Sequence, residues 1–295
     1  MSVIKVRVAA DSTCQGRRIL TLSCDYPRFI HPQVMTYGLI RKSTSSSRAI
    51  PVRRQLELME GGAFYVPEKL SKNQPGMGSK EELSEYDNAL ALDLIEAHLK
   101  ASKRLVAQLS ELGVHKQHAN RYLEPFLITR CTMTGAVEAF EHLIRQRDVD
   151  HEVQPEMRAL AVAIKETIND STPVARGFHI PYFEGTDPKM ADVFYAVARA
   201  ARDSYLREDV SEEFMSKLKS LWDEGHFGPF EHVAFWTNYF EPMNALTVGA
   251  SMSEFGDDPE SKGCGWRMLR HLGFGEVEKA LTFHWEAAAV IRPQI

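Results

Sequence analysis

The chain has 295 residues, a net charge of −5, 44% hydrophobic residues and 25% charged residues. That length allows one large domain or two small ones with a sizeable core, and the composition is ordinary for a soluble globular protein. The acidic balance argues against broad nucleic-acid binding, and no run approaches the roughly 20 apolar residues of a membrane span, so neither nucleic acid nor membrane is an expected partner.

The first residues, MSVIKVRVAADS, alternate as a strand does and lack the continuous apolar segment of a signal peptide. Cys14, Cys24, Cys131 and Cys264 are scattered without CxxC spacing and read as free thiols in a reducing cytoplasm. Residues 3–9 and 18–25 read as strands joined by a polar turn around Asp11–Gly16. Pro27 and Pro32 bracket a short segment leading into 33–40.

Next comes RKSTSSSRAIPVRR, residues 41–54. It carries Arg41, Lys42, Arg48, Arg53 and Arg54, no acid, and hydroxyls at Ser43, Thr44, Ser45, Ser46 and Ser47. Such cations repel one another unless an anion or a buried acid sits among them. Hydroxyls interspersed with guanidinium groups suit phosphate oxygens. A solvated Ser-rich loop is the bland alternative, but apolar segments flank the stretch on both sides. A short helix follows at 52–60, then a long Gly/Pro/Lys loop at 61–80, either disordered or a lid over a ligand.

A long helix is expected over 81–112. Ile95, Leu99, Val106 and Leu109 form its stripe, Leu105 and Leu112 widen it, and Gly113 stops it. A second helix at 115–124 ends before Pro125, and a third spans 134–147, with Ala136, Phe140 and Leu143 leading to Arg147. A fourth opens at Gln154–Pro155 and buries Met157, Leu160, Ala161, Ile164 and Ile168. The segment 171–190 reads as a linker or surface excursion. Helical patterns return at 189–206 and 210–225, then HFGPFEHVAFWTNYF runs from a turn into a strand with Val233, Phe235 and Tyr239 on one side. The tail, 252–295, combines a Gly/Asp-rich loop with a helix near 276–288. Helices grouped in the middle make the fold class α+β, with the whole chain, 1–295, as a single domain carrying a C-terminal extension.

His226, Glu231 and His232 lie together in HFGPFEH, but the proline between them fits no HExxH-type spacing, so no metal is expected. They read as a backbone-bonded turn or as a ligand clamp. Arg48, Arg121 and Arg147 sit on different elements and would suit an anionic nucleotide if the fold brought them together.

Taken jointly, YPRFIHPQVMTYGLIRKSTSSSRAIP, GVHKQHANRYLEPF, FEHLIRQRDVDHEVQPEMR and ARAARDSYLREDVSEEFMSKLKSLWDEGHFGPFEH resemble the flavin-dependent thymidylate synthase family. Here the HxxPFEH segment follows the basic stretch, whereas it usually precedes it, as in a permuted branch. The resemblance implies an α+β fold with a mostly antiparallel central sheet and a homotetramer with intersubunit sites. It also implies transfer of a one-carbon unit from methylenetetrahydrofolate to C5 of a uridine monophosphate, dUMP or UMP. FAD would be the cofactor, and NADPH and folate the co-substrates.

By the same resemblance Gln33, Thr44, Ser45, Ser46, Ser47, Arg48, Arg121 and Arg147 are expected at the nucleotide. Tyr37, Ser43, His142, Ser204, His226, Gly228 and Glu231 are expected at the flavin, and Tyr37 and Arg147 in catalysis. The sequence departs from the family where a His-Arg pair becomes Tyr37-Gly38 and where an arginine becomes Glu138. Loss of a charged hydrogen bond of about 1.5–3 kcal/mol on the flavin side keeps two alternatives open: a nucleotide hydroxymethylase without flavin reduction, and a non-catalytic nucleotide-binding homologue.

Overall fold

The computed structural model describes residues 3–75, 78, 80–150, 152–237 and 265–269. Its main sheet begins with a hairpin, β1 (Lys5–Cys14) and β2 (Arg17–Pro27), whose end pair is Cys14–Arg17. Gln15 and Gly16 form the loop with φ of 47° and 76°, the positive values that a tight primed turn requires. The strands therefore run past the expected turn at Asp11. Asp11 stays in the strand because the Arg18 guanidinium (2.9 and 2.6 Å) and the Ser171 hydroxyl (2.6 Å) cover its charge.

β2 pairs antiparallel with β4 (Ile128–Ala136), a strand the sequence pattern did not announce. On its far side β4 holds β3 (Arg41–Thr44), while β1 holds a short parallel strand, β5 (Val174–Ala175), giving the order β3-β4-β2-β1-β5. The sheet is thus mostly antiparallel and the fold α+β.

Side chains alternate across a strand, so each strand feeds two faces. One face carries Leu20, Leu22, Cys24, Tyr26, Cys131 and Met133. It packs on Phe140 and Leu143 of α5 (Val137–Arg147) and on Met157, Leu160, Ala161 and Ile164 of α6 (Pro155–Asp170). The other face carries Ser12, Thr21, Ser23, Thr132 and Thr134, all buried. A second sheet covers it, made of β6 (Phe178–His179), β7 (Ala234–Thr237) and β8 (Gly265–Met268). Helix α7 (Met190–Arg202) packs beside that sheet through Val193, Ala196 and Val197 against Phe230 and Phe235.

The segment expected as a surface excursion, 171–190, instead supplies β5 and β6, and Phe178 through Pro181 are buried. A bulge between Val8 and Ala10 leaves the Ala9 carbonyl free to accept from Tyr182 N at 2.8 Å, which pins this segment to the sheet edge.

The remaining helices follow the sequence more closely. They include α1 (His31–Met35) and α2 (Val52–Glu60), then α3 (Glu85–Glu111), capped by Ser84 and closed by Gly113 at φ 77°. On α3, Leu99 and Val106 are buried and Ile95 and Leu109 half-buried, but Leu105 and Leu112 lie about a third of a turn off that stripe and are exposed. They join Tyr86, Leu90 and Leu94 on an apolar outer face. The helix expected at 115–124 is α4 (Lys116–Ala119) followed by a 3₁₀ turn, Asn120–Phe126, that contains Pro125. The pattern at 210–225 splits into α8 (Glu212–Ser216) and α9 (Leu218–Asp223). Cys264, Tyr239 and the helix expected at 276–288 lie outside the described residues. Among the described residues no helix is long and apolar enough to cross a membrane.

Candidate active site

The basic stretch leaves β3 and folds into a turn in which Ala49 N donates to Ser46 O at 2.9 Å. Neighbouring elements take up most of its carbonyls. Arg28 Nη1 donates to Ser45 O (3.1 Å), Lys116 Nζ to Ala49 O (2.8 Å), and buried Asn120 Nδ2 to both Ser47 O (2.8 Å) and Ile50 O (2.9 Å). Backbone groups away from water need such partners, and side chains supply them here. The loop is therefore built, and its residues divide by direction.

Ser45 and Ser47 point inward. Ser45 Oγ accepts from Arg130 N at 3.2 Å, and Ser47 Oγ donates to Glu124 Oε1 at 2.7 Å. Ser46 is half-buried, with its backbone N on Ser204 O at 3.1 Å, and Arg48 is exposed at the tip. The cations are not uncompensated, as the sequence suggested. Arg53 and Arg54 face Glu57, one turn on, and Lys42 turns its ammonium onto the carbonyls of Tyr37 and Ile40, where burial lowers its pKa. Arg48 is the cation of this stretch that points to solvent with no described partner.

Arg121 comes to this loop through a shared acid. Glu124 Oε1 receives Arg121 Nη1 at 2.6 Å and Ser47 Oγ at 2.7 Å, with Arg28 Nε at 3.5 Å. Arg147 goes elsewhere. It ends α5 against Tyr37, with Nε donating to Tyr37 Oη at 2.5 Å and the guanidinium 5.6 Å from the ring centre. The two residues expected in catalysis therefore touch each other, but Tyr37 is buried and engaged rather than presented. Gln33 bonds Gln154, and His142 is half-buried on α5. No described contact joins either of them, or Arg147, to Arg48.

Of the residues expected at the flavin, Ser43, Ser204, Gly228 and Glu231 lie on the other flank of β3, whereas Tyr37 and His142 do not. A 3₁₀ turn, Asp203–Tyr205, brings Ser204 Oγ to Thr44 O at 3.5 Å. A second, Gly228–His232, brings Gly228 against Ser43, whose Oγ lies 3.9 Å from where a Gly228 Cβ would stand. His232, read from sequence as part of a backbone-bonded turn or a ligand clamp, reaches the side chain of Ser43 at Oγ, 2.9 Å away. Glu231 is buried beside it, while His226 is exposed, 3.5 Å from Glu224. Segments far apart in sequence thus meet at one strand.

Sequence reasoning missed Glu124, Asn120 and the buried groups behind the site. Asp203 is fully buried and accepts from Thr132 Oγ1, and burial pushes its pKa up to about 6. His179 and His232 are also fully buried, which lowers both pKa values, that of His232 to about 3. The one available signal was period-two Thr and Ser in LTLSCD and RCTMTG, hydroxyls on the side of a strand where a core would place aliphatics. Cys24 and Cys131 are buried and free, with the Cys131 thiol pushed up to about 12, which suits inert packing rather than nucleophilic work.

A family model described as thymidylate synthase complementing protein matches residues 18–174. The chain belongs to this family of nucleotide-methylating enzymes. The match covers the basic loop, Arg121 and Arg147 and stops short of Ser204 and the Gly228–His232 turn, which reach β3 only through the fold. No curated protein sequence matches the chain. Two crystal structures of the UMP/dUMP methylase PolB from Streptomyces cacaoi overlap it loosely. The one bound with 5-Br UMP shares 16% identity at a TM-score of 0.49, covering 57% of this chain and 89% of PolB. The one bound with 5-Br dUMP shares 15% at 0.47, covering 57% and 90%. Overlap at that level bears on neither substrate nor mechanism.

Proposed function

We propose that the protein methylates C5 of a uridine monophosphate, dUMP or UMP, with methylenetetrahydrofolate as one-carbon donor, FAD as cofactor and NADPH as reductant. The observation that carries this reading is the built loop. Its carbonyls are tied inward by Arg28, Lys116 and Asn120, and Ser46 and Arg48 are left facing outward. A hydroxyl and a guanidinium on a fixed turn are donors without competing acceptors, which suits a phosphate. Arg121 stands beside them through Glu124 and adds a second cation.

The donor set around β3 fits a flavin on one flank. Ser43, Ser204 and the exposed Gly228 lie together with no side chain filling Gly228's place, and Glu231 and His226 extend the same turn. These residues would hold FAD, which supplies a hydride when bound and reduced. Tyr37 and His142 do not join this flank, so Tyr37 acts by fixing Arg147 rather than by touching the cofactor. The apolar outer face of α3 supports assembly into a homotetramer with sites shared between subunits, an arrangement that would bring Arg147 of one chain to the loop of another.

The test uses purified full-length protein. It should be yellow and should release tritium from 5-tritiated dUMP or UMP when methylenetetrahydrofolate and NADPH are added. Arg48→Ala should abolish nucleotide affinity. Colourless protein that releases no tritium from either nucleotide overturns the reading. A hydroxymethyl product formed without reductant would favour the hydroxymethylase reading instead, which the engagement of Tyr37 and the open space at Gly38 motivate.

A further inference from the structure

A continuous hydrogen-bonded chain crosses the hydroxyl-lined face of the main sheet. Arg176 Nε meets Ser12 Oγ at 3.1 Å, and Ser12 Oγ meets His179 Nδ1 at 3.0 Å. His179 Nε2 meets Thr21 Oγ1 at 2.7 Å, and Thr21 Oγ1 meets Thr134 Oγ1 at 2.7 Å. Thr134 Oγ1 meets His232 Nδ1 at 2.8 Å, and His232 Nε2 meets Ser43 Oγ at 2.9 Å. Ser12, Thr21, Thr134, His179 and His232 are all fully buried. The chain starts at Arg176, which lines a groove of about 530 Å³ beside β1 and β5, and ends at Ser43 on the opposite sheet edge.

Every interior member is a hydroxyl or a neutral imidazole, able to donate and to accept, so in isolation the chain has two polarities. Its first member breaks the symmetry, because a guanidinium only donates. If Ser12 also accepted from His179, its own proton would have no acceptor among the described residues, in a site closed to water. An orphaned buried hydroxyl forfeits its hydration with nothing in return, so that polarity is disfavoured. In the other polarity every fully buried member uses its proton, and only the half-buried Ser43 hydroxyl is left with one to donate outward. Ser12 donates to His179 Nδ1, His179 Nε2–H to Thr21, Thr21 to Thr134, Thr134 to His232 Nδ1, and His232 Nε2–H to Ser43. Hydrogen bonds in series polarise one another, which reinforces the choice.

We infer that Arg176 sets the direction of this relay, fixing both His179 and His232 as Nε2–H tautomers and holding the Ser43 hydroxyl as a donor aimed away from His232, into the space beside Gly228. Arg176, His179 and His232 are positioning residues, which act through Ser43 and touch no ligand themselves. Burial agrees with neutral rings, since it lowers both imidazole pKa values. The link to the proposed site rests on Ser43 belonging to that site, but the tautomers do not depend on that reading.

The test is long-range ¹H–¹⁵N correlation NMR on full-length protein labelled at histidine, with His179→Gln and His232→Gln used only for assignment. In the wild type both rings should show a protonated Nε2 and a bare Nδ1, each as a single species. Arg176→Met lets groove water accept the Ser12 proton, so His232, which Arg176 does not touch, should become a mixture of tautomers. Thr134→Val should disturb His232 and leave His179 as Nε2–H. An Nδ1–H tautomer or a mixture at either ring in the wild type overturns the inference without recourse to any variant. So does an unchanged His232 in folded Arg176→Met protein. If the tautomers come out as stated while tritium release is absent, the relay stands and the proposed function falls.

Discussion

The two faces of the main sheet are made by the same strands, yet they solve different problems. Toward α5 and α6, β2 and β4 present Leu20, Leu22, Cys131 and Met133, a surface that needs only shape and volume. Toward the second sheet they present Thr21, Thr134 and Thr132, a surface that needs each donor and acceptor matched. Errors on the first face are graded, because neighbouring side chains relax. Errors on the second strand a polar group away from water. The polar face is also the one that carries Ser43, Ser204 and His232 to the candidate site, so chemistry and fragile packing share a surface.

Four measurements break or sharpen this contrast. The largest effect is expected from Phe140→Ala, which empties the centre of the apolar face and should cost about 3–5 kcal/mol in urea unfolding without a change in slope. Acid unfolding should report the polar face. The folded pKa of His232, about 3, lies below the unfolded value of 6.5, so its contribution is full above pH 6.5 and is lost as pH falls toward 3. At about 1.36 kcal/mol per unit this amounts to about 5 kcal/mol, and His232→Gln should flatten that limb of the stability curve.

Thr134→Val keeps the shape and orphans two partners, so about 1–3 kcal/mol should be lost. Met133→Leu, its neighbour on the apolar face, should cost less than about 1.5 kcal/mol, and equal losses at the two positions would erase the distinction between the faces. The smallest effect is Arg48→Ala, within about 0.5 kcal/mol in stability while nucleotide affinity disappears. A large destabilisation there would mean that Arg48 holds the fold rather than a ligand.

Much of the apolar face was legible in sequence. Met157, Leu160, Ala161, Ile164 and Ile168 repeat at helical spacing and are buried as that spacing requires. The basic stretch stood out by composition, and Arg121 by its place four residues before Pro125. β4 was not visible, because Thr129, Thr132 and Thr134 look like solvent-facing residues until a second layer covers them. Nor was the destination of Arg147, whose partner Tyr37 lies 110 residues earlier in the chain. Local periodicity predicts which side of an element is buried, but not which distant hydroxyl will meet a buried imidazole. The division of the serines at 45–47, with Ser45 and Ser47 inward and Ser46 outward, depends on Glu124 and Asn120, on a different element.

The tethering of the 45–50 turn has a further consequence. Under the proposed function, a loop that is already folded would leave a nucleotide little to organise beyond the Arg48 side chain, whose rotamers hold about 2 kcal/mol of entropy. Changes of ligand preference can therefore run through the tip alone. Swapping Ser46 or Arg48 would retune which anion docks, while the chassis beneath keeps its melting temperature.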